Sequence, residues 1–134
     1  MYNICIMKLK FIKPKEIERN IKATVHKSGK IGFTIEASNK LHLNENKSIA
    51  IATNVDDDTD ENLYIKVFDR VDNEAFKLGK AGGYFYINTK LLLDKLNIDY
   101  TNPEKTIMYD IYEDIYDNEE IYVLKKREVL KKQK

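Results

Sequence analysis

The stretch TVHKSGKIGFTIEASNKLHL, from Thr24 to Leu43, has a close counterpart in KLGKAGGYFYINTKLLLDKLNI, from Lys77 to Ile98. Each stretch has a short basic strand, a glycine turn, an apolar strand, a helical run and a leucine-containing exit. The match has an offset of 53 residues through the second strand and 55 after the helix. A repeated unit is normally one supersecondary motif that cannot bury its apolar face alone. The sequence therefore predicts two similar halves that share one core.

Composition places the chain among globular proteins. Its 134 residues are 43% hydrophobic and 34% charged, which favours a single domain over residues 1–134. Cys5 is the one cysteine, so an internal disulfide is excluded. No apolar run has the length of a membrane span, and the first residues do not resemble a signal peptide. We expect a cytoplasmic protein that does not enter a membrane.

Alternating apolar residues and turn signals predict a β-rich α+β fold. We predict two β-β-α-β-β halves, at about 22–70 and 75–127, which form a small barrel or packed sheets, followed by a basic tail at 128–134. The predicted strands are 4–12, 23–26, 31–35, 48–53, 63–68, 75–78, 84–87, 106–112 and 120–126. The predicted helical segments are 16–20, 36–41 and 89–96, the last with Asn88 as N-cap.

The apolar spacing also predicts one continuous core shared by both halves. Its predicted members are Val25, Ile31, Phe33, Leu41, Ile49, Ile51, Leu63, Ile65, Val67, Leu92, Leu96, Ile98, Ile107, Ile121 and Val123.

The stretch GKIGFTIEASNKLHLNENKSIAIA resembles the AbrB-like family of swapped-hairpin barrels. The family pattern falls on Gly29, Phe33, Ile35, Leu41, Leu43, Ile49 and Ile51. The chain has Thr34 where the family usually has proline, and His42 where it usually has glycine. The resemblance implies a barrel that binds DNA and regulates transcription through basic residues, with two copies on one chain supplying both halves.

A second resemblance is to small single-stranded nucleic-acid-binding proteins of the transcriptional-coactivator and whirly type. Tyr84, Phe85 and Tyr86 lie beside Lys77 and Lys80, and basic grooves with stacking aromatics hold single strands. The other interpretation is that alternate aromatics of this strand face the core.

The usual catalytic and metal motifs are missing from the sequence. His26 and His42 have no HxH, HExxH or CxxC partner. The alternating aspartates at 56–60 lack the glycine and distant glutamate of a calcium loop. Residues 79–83 lack a Walker spacing. We therefore predict a protein that is not an enzyme and has no cofactor or metal.

Charge is segregated along the chain, although the net charge is only +1. Both glycine turns are basic, and acidic loops lie at 56–61 and 113–120. Lysines at symmetric turns are suited to phosphate contacts. The predicted nucleic-acid-binding residues are Lys27, Lys30, Lys77, Lys80, Tyr84 and Tyr86, with the acidic loops facing away.

The leading hypothesis is a small nucleic-acid-binding or regulatory protein. The alternative is a protein-interaction or inhibitor module that uses the acidic loops. The pattern does not choose between single- and double-stranded nucleic acid, or between monomer and homodimer.

Overall fold

The computed structural model describes residues 9–11 and 21–130, and this part of the chain is strand-rich with two short helices. In chain order the elements are β1 Lys22–Val25, β2 Lys30–Phe33, α1 Ile35–Lys40, β3 Ser48–Ala52, β4 Leu63–Phe68, β5 Phe76–Lys77, β6 Gly79–Ala81, β7 Tyr84–Asn88, α2 Lys90–Lys95, β8 Lys105–Tyr116 and β9 Glu119–Leu130. Neither helix in this part of the chain is long and apolar enough to cross a membrane.

All strand pairs are antiparallel, and the sheet order is β5-β3-β4-β9-β8-β1-β2-β7-β6. The two outermost strands, β5 and β6, are separated along the chain only by Leu78. Phe76 and Lys77 pair with β3, whereas Gly79 to Ala81 pair with β7. This change of partner nearly closes the sheet into a barrel, which confirms the predicted β-rich class and selects the barrel over packed sheets.

One apolar cluster fills the barrel, as predicted. The buried residues that the sequence identified correctly within it are Val25, Ile31, Phe33, Leu41, Ile49, Leu63, Ile65 and Ile107. Ile51, Val67 and Ile98 are partly buried against the cluster.

The predicted inward face of α2 is wrong. Leu93 is fully buried, whereas Leu96 is 36% exposed and Leu92 is only partly buried. A helix of six residues has fewer than two turns, so only about one of its side chains can face the core. The leucine spacing alone did not identify that residue as Leu93.

The predicted face of β9 is also wrong. Leu124 pairs with Leu63 and Tyr122 pairs with Ile65, so these two β9 residues enter the core cluster. Ile121 is buried but lies outside that cluster, and Val123 is partly buried. A shift of one residue exchanges the two faces of a strand, and here it follows from the pairing with β4.

The two helices begin differently. Thr34 caps α1, because its side-chain oxygen accepts from the Ala37 N–H at 3.1 Å. The predicted cap Asn88 is wrong, because Asn88 ends β7 and Thr89 precedes α2. The Thr89 hydroxyl instead donates to the Gly29 carbonyl at 2.8 Å and ties the helix to the first hairpin turn.

Both helices end in the same way. The Leu43 N–H donates to the Ser38 carbonyl at 2.9 Å, and the Ile98 N–H donates to the Leu93 carbonyl at 3.0 Å. The residue before each donor has a left-handed backbone, with φ of 53° at His42 and 59° at Asn97. This geometry satisfies helix-end carbonyls and usually employs glycine.

Strands β8 and β9 form a hairpin that is longer than predicted. Its two-residue turn, Asp117 and Asn118, was identified correctly, and both residues have positive φ, as type I′ turns require. β9 continues to Leu130, so the first three residues of the predicted tail are strand. The rest of that tail lies outside the described residues.

At the other end, the predicted strand 4–12 and helical turn 16–20 also lie outside the described residues, apart from 9–11. Residues 9–11 have no regular structure.

Candidate nucleic-acid interface

Tyr84 and Tyr86 lie on the outer side of the sheet. In β7 the alternate residue Ile87 is buried and pairs with the buried Ile31. Successive side chains of a strand point to opposite faces, so the two tyrosines point away from the core. Both are half-buried.

Two glycines lie beneath these outward rings. A Cβ on Gly32 would meet His26 Nε2 at 2.5 Å and Tyr84 Cε2 at 3.3 Å. A Cβ on Gly79 would meet Tyr86 Cζ at 2.5 Å. The rings therefore lie directly against neighbouring backbone, which fixes their position and leaves no room for side chains at either glycine.

The rings form a continuous row with one cation. His26 and Tyr84 stack with ring centroids 6.0 Å apart and planes inclined by 23°. Tyr84 and Tyr86 are tilted, with centroids 6.5 Å apart. Lys30 Nζ lies 4.4 Å from the Tyr86 centroid, within the range of a cation–π contact. We call His26, Lys30, Tyr84 and Tyr86 the ring surface.

Three of the six predicted site residues therefore meet on one surface. His26 joins them although it was not among the six. The alternation of β1 could have identified His26. Ala23 and Val25 face the core, so the side chains at 24 and 26 point outward.

Lys27 has a different role. Its ammonium donates to the Asn102 carbonyl and, at 2.9 Å, to the Lys105 carbonyl. The side chain therefore ties the first glycine turn to the start of β8. A contact between Lys27 and nucleic acid, as the sequence predicts, would compete with these two hydrogen bonds.

The other two predicted lysines, Lys77 and Lys80, also lie away from the row of rings. Lys80 pairs across the strands with Phe85, and its Nζ lies 5.9 Å from the Phe85 ring. Phe85 alternates with Tyr84 and Tyr86, so Lys80 is on the other face of the sheet. Lys77 is exposed on β5 and pairs with Ser48.

The acidic loop at 56–61 is organised by its own hydrogen bonds. Asp60 accepts from the Tyr64 hydroxyl and, at 2.8 Å, from the Asn62 N–H. The Tyr64 bond, then the Asn62 bond, and then one from Asn54 lower the pKa of Asp60. Within residues 9–11 and 21–130, no group of three His, Cys, Asp or Glu side chains is arranged to hold a metal.

The acidic segments have cations of their own. Glu61 is 2.7 Å from Lys126, Glu119 is 2.5 Å from Lys66 and Glu113 is 3.7 Å from Lys40. None of these three lysines belongs to the predicted site. The ion pairs of these acidic residues therefore lie away from the basic turns.

Comparison with known proteins gives no relative: no family model, curated protein or solved structure matches the chain. Its function is therefore inferred from its own residues.

Proposed function

We propose that this protein binds single-stranded nucleic acid through the ring surface and acts by binding rather than by catalysis. The observation that supports this most directly is the row of three half-buried rings beside Lys30 on one sheet face. Every base has a π-face, so stacking on aromatic side chains is largely independent of sequence. A neighbouring ammonium supplies the phosphate contact that gives such binding its affinity.

The geometry of the rings favours a binding role. Rings held against Gly32 and Gly79 lose little freedom when a base stacks on them, and such preorganisation improves affinity. Lys30 covers Tyr86, and its flexible side chain has to swing toward a phosphate to admit a base. Lys77 and Lys80 lie apart from the row of rings, so Lys30 supplies the phosphate contact in this proposal.

We further infer that the chain consists of two related halves, as the sequence repeat and the AbrB-like resemblance predict. The support is a pair of matching helix ends: the Ser38–Leu43 and Leu93–Ile98 hydrogen bonds are offset by the same 55 residues as the sequences. His42, at the position where that family usually has glycine, has the left-handed φ that glycine favours.

The test is fluorescence anisotropy with a labelled oligothymidylate and a duplex of the same length, at low and moderate salt. Tyr84→Leu keeps apolar bulk and removes the π-face, so it should weaken single-strand binding by about 1–3 kcal/mol. Lys30→Gln should lower the slope of log affinity against log salt by about 0.7. The chain has no tryptophan, so quenching of tyrosine emission is a second readout of stacking.

Matched controls are Tyr116→Leu and Lys125→Gln, because both residues are exposed and belong to β8 and β9 rather than to the ring surface. These controls should bind as the wild type does. Absence of wild-type binding to the single strand at low salt would refute the proposal. Equal losses in the control variants, or binding to the duplex alone, would refute the role of the rings.

A further inference from the structure

The rings of the ring surface are spaced more widely than stacked bases. The centroids of His26 and Tyr84 are 6.0 Å apart, and those of Tyr84 and Tyr86 are 6.5 Å apart. A stacked strand rises by about 3.4 Å per nucleotide. Two neighbouring bases that remain stacked on each other therefore cannot each lie on a ring of their own. Successive bases match successive rings only when the strand is stretched to roughly twice that rise.

The inclination of the rings has the same consequence. The planes of Tyr84 and Tyr86 are inclined by 56°, whereas neighbouring bases in a continuous stack are nearly parallel. Bases lying on the two tyrosines would be turned away from each other, so they could not remain in contact face to face. The planes of His26 and Tyr84 are inclined by only 23°, so the step between these two rings is opened by distance rather than by rotation.

The barrel sets the positions of the rings. A Cβ on Gly79 would meet the Cζ of Tyr86 at 2.5 Å, its hydroxyl oxygen at 2.7 Å and its Cε2 at 2.9 Å. Because these three distances are so similar, Gly79 lies against the face of the ring rather than its edge. A Cβ on Gly32 would meet both His26 and Tyr84. Since the rings rest on the backbone of paired strands, a bound nucleic acid has to adapt its conformation to them.

Lys30 distinguishes Tyr86 from the other two rings. Its ammonium lies over Tyr86, 4.4 Å from the ring centroid. Because Gly79 lies against one face of this ring, a base has to take the place of the ammonium on the other face. The displaced ammonium can then contact a phosphate of the same strand. His26 and Tyr84 would therefore accept two bases, and Tyr86 would accept a third together with a phosphate contact.

We propose that the ring surface binds three successive nucleotides of an extended, unstacked strand and therefore prefers pyrimidine runs to adenine runs. This inference rests on the proposed function and narrows its ligand. Adenines stack strongly on each other and must give up that stacking before each can lie on a ring, whereas thymines give up little. A preference of this origin does not depend on hydrogen bonds to base edges, so the site should tolerate one adenine between two thymines.

Competition against the labelled oligothymidylate at low salt tests the proposal with the wild-type chain. Unlabelled thymidylates should bind at least about fivefold more tightly when a third nucleotide is added to two, because a third base then stacks. Each later nucleotide adds only further registers of the same contacts. A trinucleotide of adenines should compete at least about threefold more weakly than one of thymines, whereas a central adenine between two thymines should change affinity by less than about twofold.

Tyr86→Leu removes the third ring and keeps apolar bulk at its position. The gain in affinity from the third nucleotide should then fall below about twofold, because only two rings remain. The matched control is Tyr116→Leu, an exposed tyrosine of β8, which should keep the full gain. Circular dichroism melting establishes that each variant is folded, and the comparison of trinucleotides on the wild type does not depend on either variant.

The outcomes separate this inference from the proposed function. Equal competition by the thymine and adenine trinucleotides would overturn the inference and leave single-strand binding by the ring surface in place. An undiminished gain in Tyr86→Leu, or a steep rise in affinity beyond the third nucleotide, would overturn the three-nucleotide site in the same way. If the labelled strand itself does not bind, the proposed function and this inference are both wrong.

Discussion

Replacing Tyr109 by Phe should stabilise this protein, although Tyr109 is fully buried. Its hydroxyl has no hydrogen-bond partner among the described residues. Burying a polar group without a partner costs about 1–3 kcal/mol, since its hydrogen bonds to water are lost. Removing the oxygen relieves this cost and leaves a small void, so we expect a net gain of about 1 kcal/mol, or roughly 3–4 °C in melting temperature for a domain of this size.

Tyr100 provides a matched control for this substitution. It is also buried, but its hydroxyl donates to Asp94 Oδ1 at 2.7 Å. Tyr100→Phe removes that bond and leaves the packing of the ring, so it should lower the melting temperature. Urea unfolding followed by circular dichroism measures both variants. If Tyr109→Phe destabilises as much as Tyr100→Phe, the Tyr109 hydroxyl has a partner and the reasoning is wrong.

The same tyrosine predicts a dependence on alkaline pH. Burial, and secondarily the charge of Glu61, raises the pKa of Tyr109 to about 12, whereas an unfolded tyrosine titrates near 10. The unfolded state therefore loses its proton first, and the free energy of unfolding should fall between about pH 10 and 12. Tyr109→Phe removes this contribution. Part of the fall should remain, because Tyr64, Tyr100 and Tyr122 also have raised pKa values.

Two further pairs of variants test how α1 and β9 end. His42→Gly should raise the free energy of unfolding by about 0.5 kcal/mol, since relief of a left-handed backbone outweighs the entropy cost of glycine, whereas Asn39→Gly inside α1 should lower it by about 1 kcal/mol. Equal losses in thermal melts of the two would contradict the backbone argument. Deleting residues 128–134 should lower the melting temperature more than deleting 131–134, because Glu128 and Leu130 pair with β8; equal melting temperatures would show that the end of β9 contributes nothing.

Local patterns predicted much of the fold. β4 begins and ends where its alternation predicted, at Leu63 and Phe68, because acidic and polar residues bound it on both sides. The Asp117–Asn118 turn was equally clear, since both residue types tolerate positive φ. The face of β9 was not predictable in this way, because it depends on a register with β4, a strand more than fifty residues away.

The candidate site was predictable only where it depends on local alternation. Alternation in β7 identifies Tyr84 and Tyr86 as a pair on one face. It does not reveal that Gly32 and Gly79 underlie the rings, or that Lys27 donates to carbonyls at the start of β8. Both facts come from strands that the barrel brings together. The sequence therefore could not show that the Lys27 ammonium is already hydrogen-bonded to backbone carbonyls.

The strand order constrains how the protein is made. The hairpins β1–β2 and β3–β4 are synthesised first, but in the sheet they are separated by β8 and β9 on one side and by β5 to β7 on the other. On the ribosome, residues 22–68 therefore emerge as two hairpins that share no strand pairing. Each exposes an apolar face until the last strands arrive, and pairings so distant in sequence form slowly. Completion of the barrel must therefore await the synthesis of β8 and β9, and until then the exposed apolar faces make the nascent chain prone to aggregation.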